Sequence, residues 1–179
     1  MKIGKMTKVI NIFGGPGSGK TTASLGLTYH MKLKNINCEL VSEYAKSLLW
    51  SNRLEDMQDQ QEYMFVKQNH MIHRLRDKVD YVIVDSPVLL NHIYTTLSKQ
   101  PWEARDSFKA FVVATFNTYN NINFVMDRPE YFETEGRIQN KKQATEIDHL
   151  ITHELVMLRI PYTIVAADNN TIDNILNFI

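Results

Sequence analysis

The chain is 179 residues long, enough for one domain with a full core. Its 20 basic and 20 acidic side chains cancel, which excludes a global field that would draw the protein to nucleic acid or an anionic membrane but leaves room for a local basic groove. Cys38 is the single cysteine, so no internal disulfide can form, and no apolar run has the length of a signal peptide or a membrane span; a reducing cytoplasm is the expected compartment, with no membrane partner.

No repeat, Gly/Ser linker or low-complexity tract divides the sequence, so residues 1–179 are expected to form a single domain. The first predicted strand, 9–13, runs directly into Gly14-Gly15-Pro16-Gly17-Ser18-Gly19-Lys20-Thr21, and a helix is expected to open near Gly19. Strand, glycine-rich loop and helix in that order are the P-loop pattern. The glycines let backbone N–H groups turn inward around a polyphosphate, Lys20 reaches the β and γ phosphates, and the Thr21 hydroxyl holds Mg²⁺. The positive end of the helix adds to the same anion site. The residues expected to bind nucleotide are therefore Gly15, Pro16, Gly17, Ser18, Gly19, Lys20, Thr21 and Thr22. Gly26 lowers the propensity of this first helix, and close packing is the one reason its position offers.

The second predicted strand, 39–41, follows Cys38, a small residue expected to be buried, and leads to Ser42-Glu43-Tyr44-Ala45-Lys46. Glu43 either projects into the P-loop crevice, where a carboxylate would take or orient the proton of an acceptor hydroxyl, or stabilises the start of a helix over 44–49. A helix predicted over 59–78 turns Met64, Met71, Ile72 and Leu75 inward. Its other side carries a basic sector of Lys67, His70, His73, Arg74 and Arg76, read as a solvated face, with DNA phosphates as the alternative partner.

The third strand, 81–84, ends at Asp85, followed by Ser86-Pro87. Ligands of open α/β sheets gather at the carboxyl ends of strands, so Asp85 is expected to face the P-loop and hold the Mg²⁺ shell, largely through water. Many ATP hydrolases that power motion place a glutamate directly after this aspartate to orient water, whereas Ser86 stands there in this chain, which weighs against hydrolysis as the main activity. Phe108, Phe111, Val112, Thr115, Phe116 and Tyr119 then form one apolar helical stripe.

After the fourth strand, 124–126, residues 128–140 are polar and punctuated by Pro129 and Gly136, as expected of a flap. Arg128 and Arg137 are its candidates to close on a transferring phosphoryl group, Arg137 being the better placed beside Gly136; the alternative is pairing with Glu130, Glu133 or Glu135. A helix over 141–158, with Ile147, Leu150, Ile151, Leu155 and Leu158 inward, and a fifth strand, 162–165, complete the chain. Five short strands alternating with helices make a parallel α/β sheet covered on both faces. The pairs His70/His73 and His149/His153 lack the neighbouring ligands of a zinc site and are read as ordinary histidines.

The P-loop octapeptide, Ser42-Glu43-Tyr44-Ala45, Val84-Asp85-Ser86-Pro87, the Arg128 to Gln139 segment and Asp148 together resemble the P-loop nucleoside and nucleotide kinase group that includes the nicotinamide riboside kinase domain. Within that group the chain most resembles small phage-encoded kinases of the 5-hydroxymethyluracil DNA kinase type. The resemblance implies a three-layer P-loop kinase fold with a five-stranded sheet of order 2-3-1-4-5, ATP with Mg²⁺, and a flap arginine. The expected activity is transfer of the γ phosphate to a hydroxyl of a nucleoside-type acceptor, with Lys20, Glu43, Asp85, Arg128 and Arg137 as candidate catalytic residues and Thr21 and Asp85 as candidate metal ligands. The acceptor expected from the resemblance is 5-hydroxymethyluracil in DNA, the alternative a free nucleoside or deoxynucleotide. A nucleotide-dependent binding module and a hydrolase with Gln139 as the water-positioning residue are the rival classes.

Overall fold

The computed structural model describes residues 6–51, 60–97, 103–131 and 139–179. Apolar runs too short for helices form five strands: β1 (Lys8–Phe13), β2 (Cys38–Val41), β3 (Tyr81–Asp85), β4 (Asn120–Asp127) and β5 (Thr163–Ala166). All neighbouring strands pair in parallel, in the order β2-β3-β1-β4-β5. The order is the one implied by the sequence resemblance, and it puts β1 and its following loop at the centre.

The helices are α1 (Lys20–Leu33), α2 (Tyr44–Trp50), α3 (Gln61–His73), α4 (Leu89–Thr95), α5 (Arg105–Phe116), α6 (Lys141–Met157) and α7 (Thr171–Leu176). Side chains alternate across β1, so the sheet carries a core on each face. Val9 and Phe13 join Val82, Val84 and Val125 beneath Phe65 and Ile72 of α3, Leu89 and Ile93 of α4, Val112 and Phe116 of α5, and Ile151 and Leu155 of α6. Ile10 and Ile12 join Ile83, Phe124 and Val165 beneath Leu27 and Met31 of α1 and Ile175 of α7. The result is three layers with nearly continuous apolar strands, as a sheet buried on both faces requires.

The structure departs from the sequence expectation at four places. β4 starts at Asn120, ahead of its apolar run, because its asparagines are paired inside the sheet. Asn11 Nδ2 donates to Asn121 Oδ1 at 2.9 Å and to Asn123 Oδ1 at 3.0 Å, while Asn123 Nδ2 donates to the Pro161 carbonyl at 3.0 Å. Polarity in a buried strand is tolerated where every group finds a partner. α3 ends at His73 instead of 78, where the chain turns through Asp77 in a left-handed conformation (φ 60°) whose N–H donates to Thr7 Oγ1 at 2.8 Å. Leu150, expected inward, is exposed, because the inner stripe of α6 is Ala144, Ile147, Ile151 and Leu155. Phe111 is also exposed at one edge, yet its ring meets Phe65 with centroids 5.4 Å apart.

Gly26 has the packing role expected of it: a Cβ there would meet Ile172 of α7 at 3.0 Å. α6 starts with a capping box, in which the Asn140 side chain accepts the Gln143 N–H and the Gln143 side chain accepts the Asn140 N–H.

Away from the strand ends, His92 of α4, Lys109 of α5 and Glu154 of α6 meet, with His92 Nε2 3.0 Å from Glu154 Oε1 and Lys109 Nζ on the same oxygen. Burial pushes the His92 pKa down despite Glu154. Burial alone would raise Glu154, but hydrogen bonds from Lys109 and His92 outweigh it and hold that carboxyl below its usual range. Both folded-state values lie below the unfolded ones, so the unfolded chain binds more protons as pH falls, and stability drops on acidification. Urea unfolding should therefore show a loss of stability as pH falls through the usual 6.5 of histidine, and a second below the usual 4.5 of glutamate. His92→Gln should remove the first loss; a variant with the wild-type pH profile would contradict the assignment.

Candidate active site

β1 delivers the chain into the loop Gly14 to Gly19 at its carboxyl end. Gly14, Gly17 and Gly19 adopt φ values of 148°, 77° and 91°, conformations that side-chain-bearing residues rarely take. At Gly15 the constraint is space: a Cβ would meet the Ala144 carbonyl at 2.7 Å and Asp148 Oδ1 at 2.9 Å. α1 begins immediately after Gly19, so the N–H groups of its first turn, at Lys20, Thr21 and Thr22, lack intrahelical partners and form the positive end of the helix. Lys20 is 7% exposed, and its Nζ donates to the Gly15 carbonyl across the loop at 2.9 Å. Ser18 Oγ is buried with no hydrogen-bond partner among the described residues.

The register aligns Ile12 of β1 with Asp85 of β3, so Asp85 ends its strand level with the start of the loop. Asp85 is 2% exposed and its Oδ1 has no hydrogen-bond partner among the described residues. A buried carboxylate oxygen without a donor is costly unless a cation answers it. A hydroxyl from Thr21 and a carboxylate from Asp85 form the hard, all-oxygen, sparse donor set that Mg²⁺ takes while keeping most of its waters. The residues present therefore fit the ion.

Glu43 follows β2 by two positions and is half-buried. Burial pushes its pKa up and Asp85 adds to the rise, while Lys20, Lys46 and a hydrogen bond from Ser86 oppose it. The Ser86 bond is long, 3.5 Å from Oγ to Glu43 Oε1, and Ser86 has a left-handed backbone (φ 74°). Such strain costs about 1–3 kcal/mol at a non-glycine residue and collects at functional sites. Lys20, Glu43 and Asp85 thus act on one another electrostatically at the carboxyl ends of the strands, where open α/β sheets form their crevice.

Other groups support them. Gln68 of α3 accepts the Tyr44 N–H at 3.1 Å and donates to the Asp85 carbonyl at 3.4 Å, joining the Glu43 segment to the end of β3. Its signal in the sequence was a polar residue inside the buried stripe Met64, Phe65 and Ile72. Tyr94 of α4 is half-buried; burial raises its pKa strongly, with Glu43 and Asp148 adding and Arg128 opposing, so the phenol keeps its proton. Nothing in the sequence pattern marked Tyr94.

Arg128 lies beside the loop. Its Nε donates to Asp148 Oδ2 at 2.8 Å and its Nη1 to the Pro16 carbonyl at 2.7 Å, while Asp148 Oδ1 accepts the Gly15 N–H at 2.6 Å. The Gly15 N–H is therefore engaged by a carboxylate, and Pro16 has no N–H to offer. Arg137 and most of 128–140 lie outside the described residues.

Tyr44 and Tyr63 touch hydroxyl to hydroxyl at 3.0 Å, with Lys67 Nζ 5.3 Å from the Tyr63 ring centre. The remaining basic residues of the α3 sector are exposed and lie toward its carboxyl end, Arg76 beside Thr7, Val82 and Tyr119 near the amino ends of the strands. That end is opposite the crevice. His149 and His153 are exposed on α6, and among the described residues no helix is long and apolar enough to cross a membrane.

A protein-family model described as an AAA domain matches residues 9–171. No curated protein matches the chain by sequence search. Among solved structures, the chain is similar to NadR protein in complex with NAD and AMP-PNP, at 16% identity and a TM-score of 0.72, over 96% of this chain and 49% of that one. NadR in complex with NR is similar at 17% identity and a TM-score of 0.66, over 89% and 43%. Deoxyadenosine kinase from M. mycoides with bound dATP is similar at 16% identity and a TM-score of 0.66, over 94% and 97%. The chain spans about half the length of the NadR chains, and at these identities the likeness is one of fold, the P-loop kinase fold.

Because burial raises the folded-state pKa of Glu43 above its unfolded value, the contribution of this group favours the fold at low pH and is lost as pH rises through the raised value. Glu43→Gln should therefore raise the thermal midpoint at pH 7 and leave it nearly unchanged at pH 4. A lower midpoint at pH 7 would mean that the carboxylate is stabilising and the burial argument wrong.

Proposed function

We propose, from the premise that the chain belongs to the AAA domain family, that it is an ATP-dependent phosphotransferase acting on a hydroxyl of a nucleoside-type acceptor. The observation that carries this reading is the convergence of Lys20, Glu43 and Asp85 in one crevice, with Ser86 in the position where a hydrolase would hold a water-orienting glutamate. The nucleoside-related ligands and substrate in the names of the fold neighbours are in keeping with it.

Phosphoryl transfer is mostly positioning and charge neutralisation. The backbone N–H groups from Gly17 to Thr22 hold the phosphates, and Lys20 turns from the Gly15 carbonyl onto the β and γ oxygens. Thr21 and Asp85 are the residues that would hold Mg²⁺, which supplies further neutralisation of the triphosphate. Glu43 accepts the acceptor's hydroxyl proton as the new O–P bond forms and the bond from the γ phosphorus to the β–γ bridging oxygen breaks, leaving ADP. Its raised proton affinity strengthens it as a base, and Ser86 and Gln68 keep it aimed. In this reading residues 1–179 act as one domain, 128–140 as its flap, and Arg137 brings positive charge to the transferring group.

For the acceptor, the resemblance of the chain as a whole to phage kinases of the 5-hydroxymethyluracil DNA kinase type supports the hydroxymethyl group of that base in DNA; the Glu43 and Asp85 segments mark the subgroup and do not name the acceptor. A second reading, a free nucleoside or deoxynucleotide, is favoured by the position of Arg76, which lies beside Thr7, Val82 and Tyr119 near the amino ends of the strands and leaves Lys67 as the member of the basic sector on the Tyr44 and Tyr63 side. A base in duplex DNA must also be flipped out, at a cost of a few kcal/mol.

Lys20→Ala should reduce transfer by about a hundredfold or more while the fold survives. Glu43→Gln should lower kcat by roughly two orders of magnitude at nearly constant KM for ATP. Steady-state kinetics with each acceptor class measures both. Near-normal turnover in Lys20→Ala, or an equal loss of kcat and ATP affinity in Glu43→Gln, would contradict the assigned roles.

A further inference from the structure

The P-loop is held from outside as well as shaped from within. Two groups of its first turn are engaged by side chains from other elements, the Gly15 N–H by Asp148 Oδ1 at 2.6 Å and the Pro16 carbonyl by Arg128 Nη1 at 2.7 Å, while Lys20 Nζ holds the Gly15 carbonyl from within at 2.9 Å. Arg128 Nε closes the circuit on Asp148 Oδ2 at 2.8 Å. Both side chains are largely buried, 10% and 18% exposed, so the pair acts with little screening. The backbone at Gly15 is pressed against the same place, since a Cβ there would meet the Ala144 carbonyl at 2.7 Å, Asp148 Oδ1 at 2.9 Å and Arg128 Nη2 at 3.2 Å. Arg128 follows directly on β4 and Asp148 stands on α6, so two elements that are separate in the chain grip consecutive residues of the loop.

We propose that Arg128 and Asp148 form a brace that keeps the P-loop in its nucleotide-binding shape, making both positioning residues and leaving neutralisation of the transferring phosphoryl group to other cations. The brace rests on the nucleotide-binding half of the function above and not on the identity of the acceptor. A planar guanidinium reaches a carboxylate and a backbone carbonyl at once through two separate N–H groups, whereas the ammonium of lysine is a point charge that cannot reproduce that fork. Asparagine at 148 would keep an acceptor for the Gly15 N–H but present no charge to Arg128.

The test is ATP binding, measured by calorimetry with Mg²⁺ and no acceptor, in Arg128→Lys, Asp148→Asn, Asp148→Ala and the double variant Arg128→Lys/Asp148→Ala. Thermal melts are run beside it, and the conservative Arg128→Lys and Asp148→Asn decide the matter if Asp148→Ala does not fold. The brace predicts that Arg128→Lys and Asp148→Ala each weaken ATP binding roughly tenfold or more, that Asp148→Asn falls between them and wild type, and that the double variant is no worse than the weaker-binding single. It also predicts an unchanged pH profile of kcat and an unchanged KM for the acceptor. Wild-type ATP affinity in Arg128→Lys with a fall in kcat would place this arginine on the transferring group and overturn the proposal, as would additive losses in the double variant. A wild-type protein that binds ATP but labels no acceptor would sink the proposed function and leave the brace to be judged on the binding data.

Discussion

The parallel pairing of β1 with β3 is the contact on which the rest of this molecule depends. It sets Ile12 opposite Asp85, so the strand that opens into the P-loop and the strand that ends in a buried carboxylate finish at the same level. The pairing of β2 with β3 then sets Val41 opposite Val84 and brings Glu43, two residues further on, to the same edge. Because side chains alternate along a strand, a slip of one residue in either ladder would turn these carboxylates to the wrong face. Three charges far apart in the chain come together because the backbone ladders leave them no other place.

That gathering works against stability. Two carboxylates sit near one buried ammonium, one of them with an oxygen that no described donor satisfies, and Ser86 holds a backbone conformation that serine seldom adopts. The compensation lies elsewhere: two apolar cores on the faces of the sheet, an asparagine ladder with its amides paired, and a capped α6. Strain at the crevice and good packing around it are what the proposed phosphoryl transfer would require of its site. The Arg128–Asp148 pair belongs to both parts, being a largely buried ion pair that bears directly on the loop.

Much of this was legible in the sequence. The P-loop announces itself through its glycines, Lys20 and Thr21, and the apolar runs before Asp85 and Glu43 mark strand ends, where ligands of parallel sheets gather. The strand order, by contrast, came from the family resemblance, since periodicity cannot say which strands are neighbours. Residues 120–123 hid their strand because polar side chains mask the pattern when they pair with one another inside a sheet. Gln68, Tyr94 and the contact of Asp148 with Gly15 depend on where helices sit over the strand ends, and that is a tertiary property. Arg128 illustrates the limit: its residue type and polar segment made it a candidate, but its contacts with Asp148 and the Pro16 carbonyl are tertiary and could not be read there.

In the proposed reaction the crevice passes a phosphoryl group to a nucleoside-type hydroxyl instead of to water. The most direct measurement follows labelled γ phosphate from ATP, with Mg²⁺, into free nucleosides including nicotinamide riboside, into deoxynucleotides, and into DNA carrying 5-hydroxymethyluracil. The account predicts label on one of these acceptors, with little released as inorganic phosphate in its absence. Label that appears only as inorganic phosphate, at a rate no acceptor alters, would contradict it.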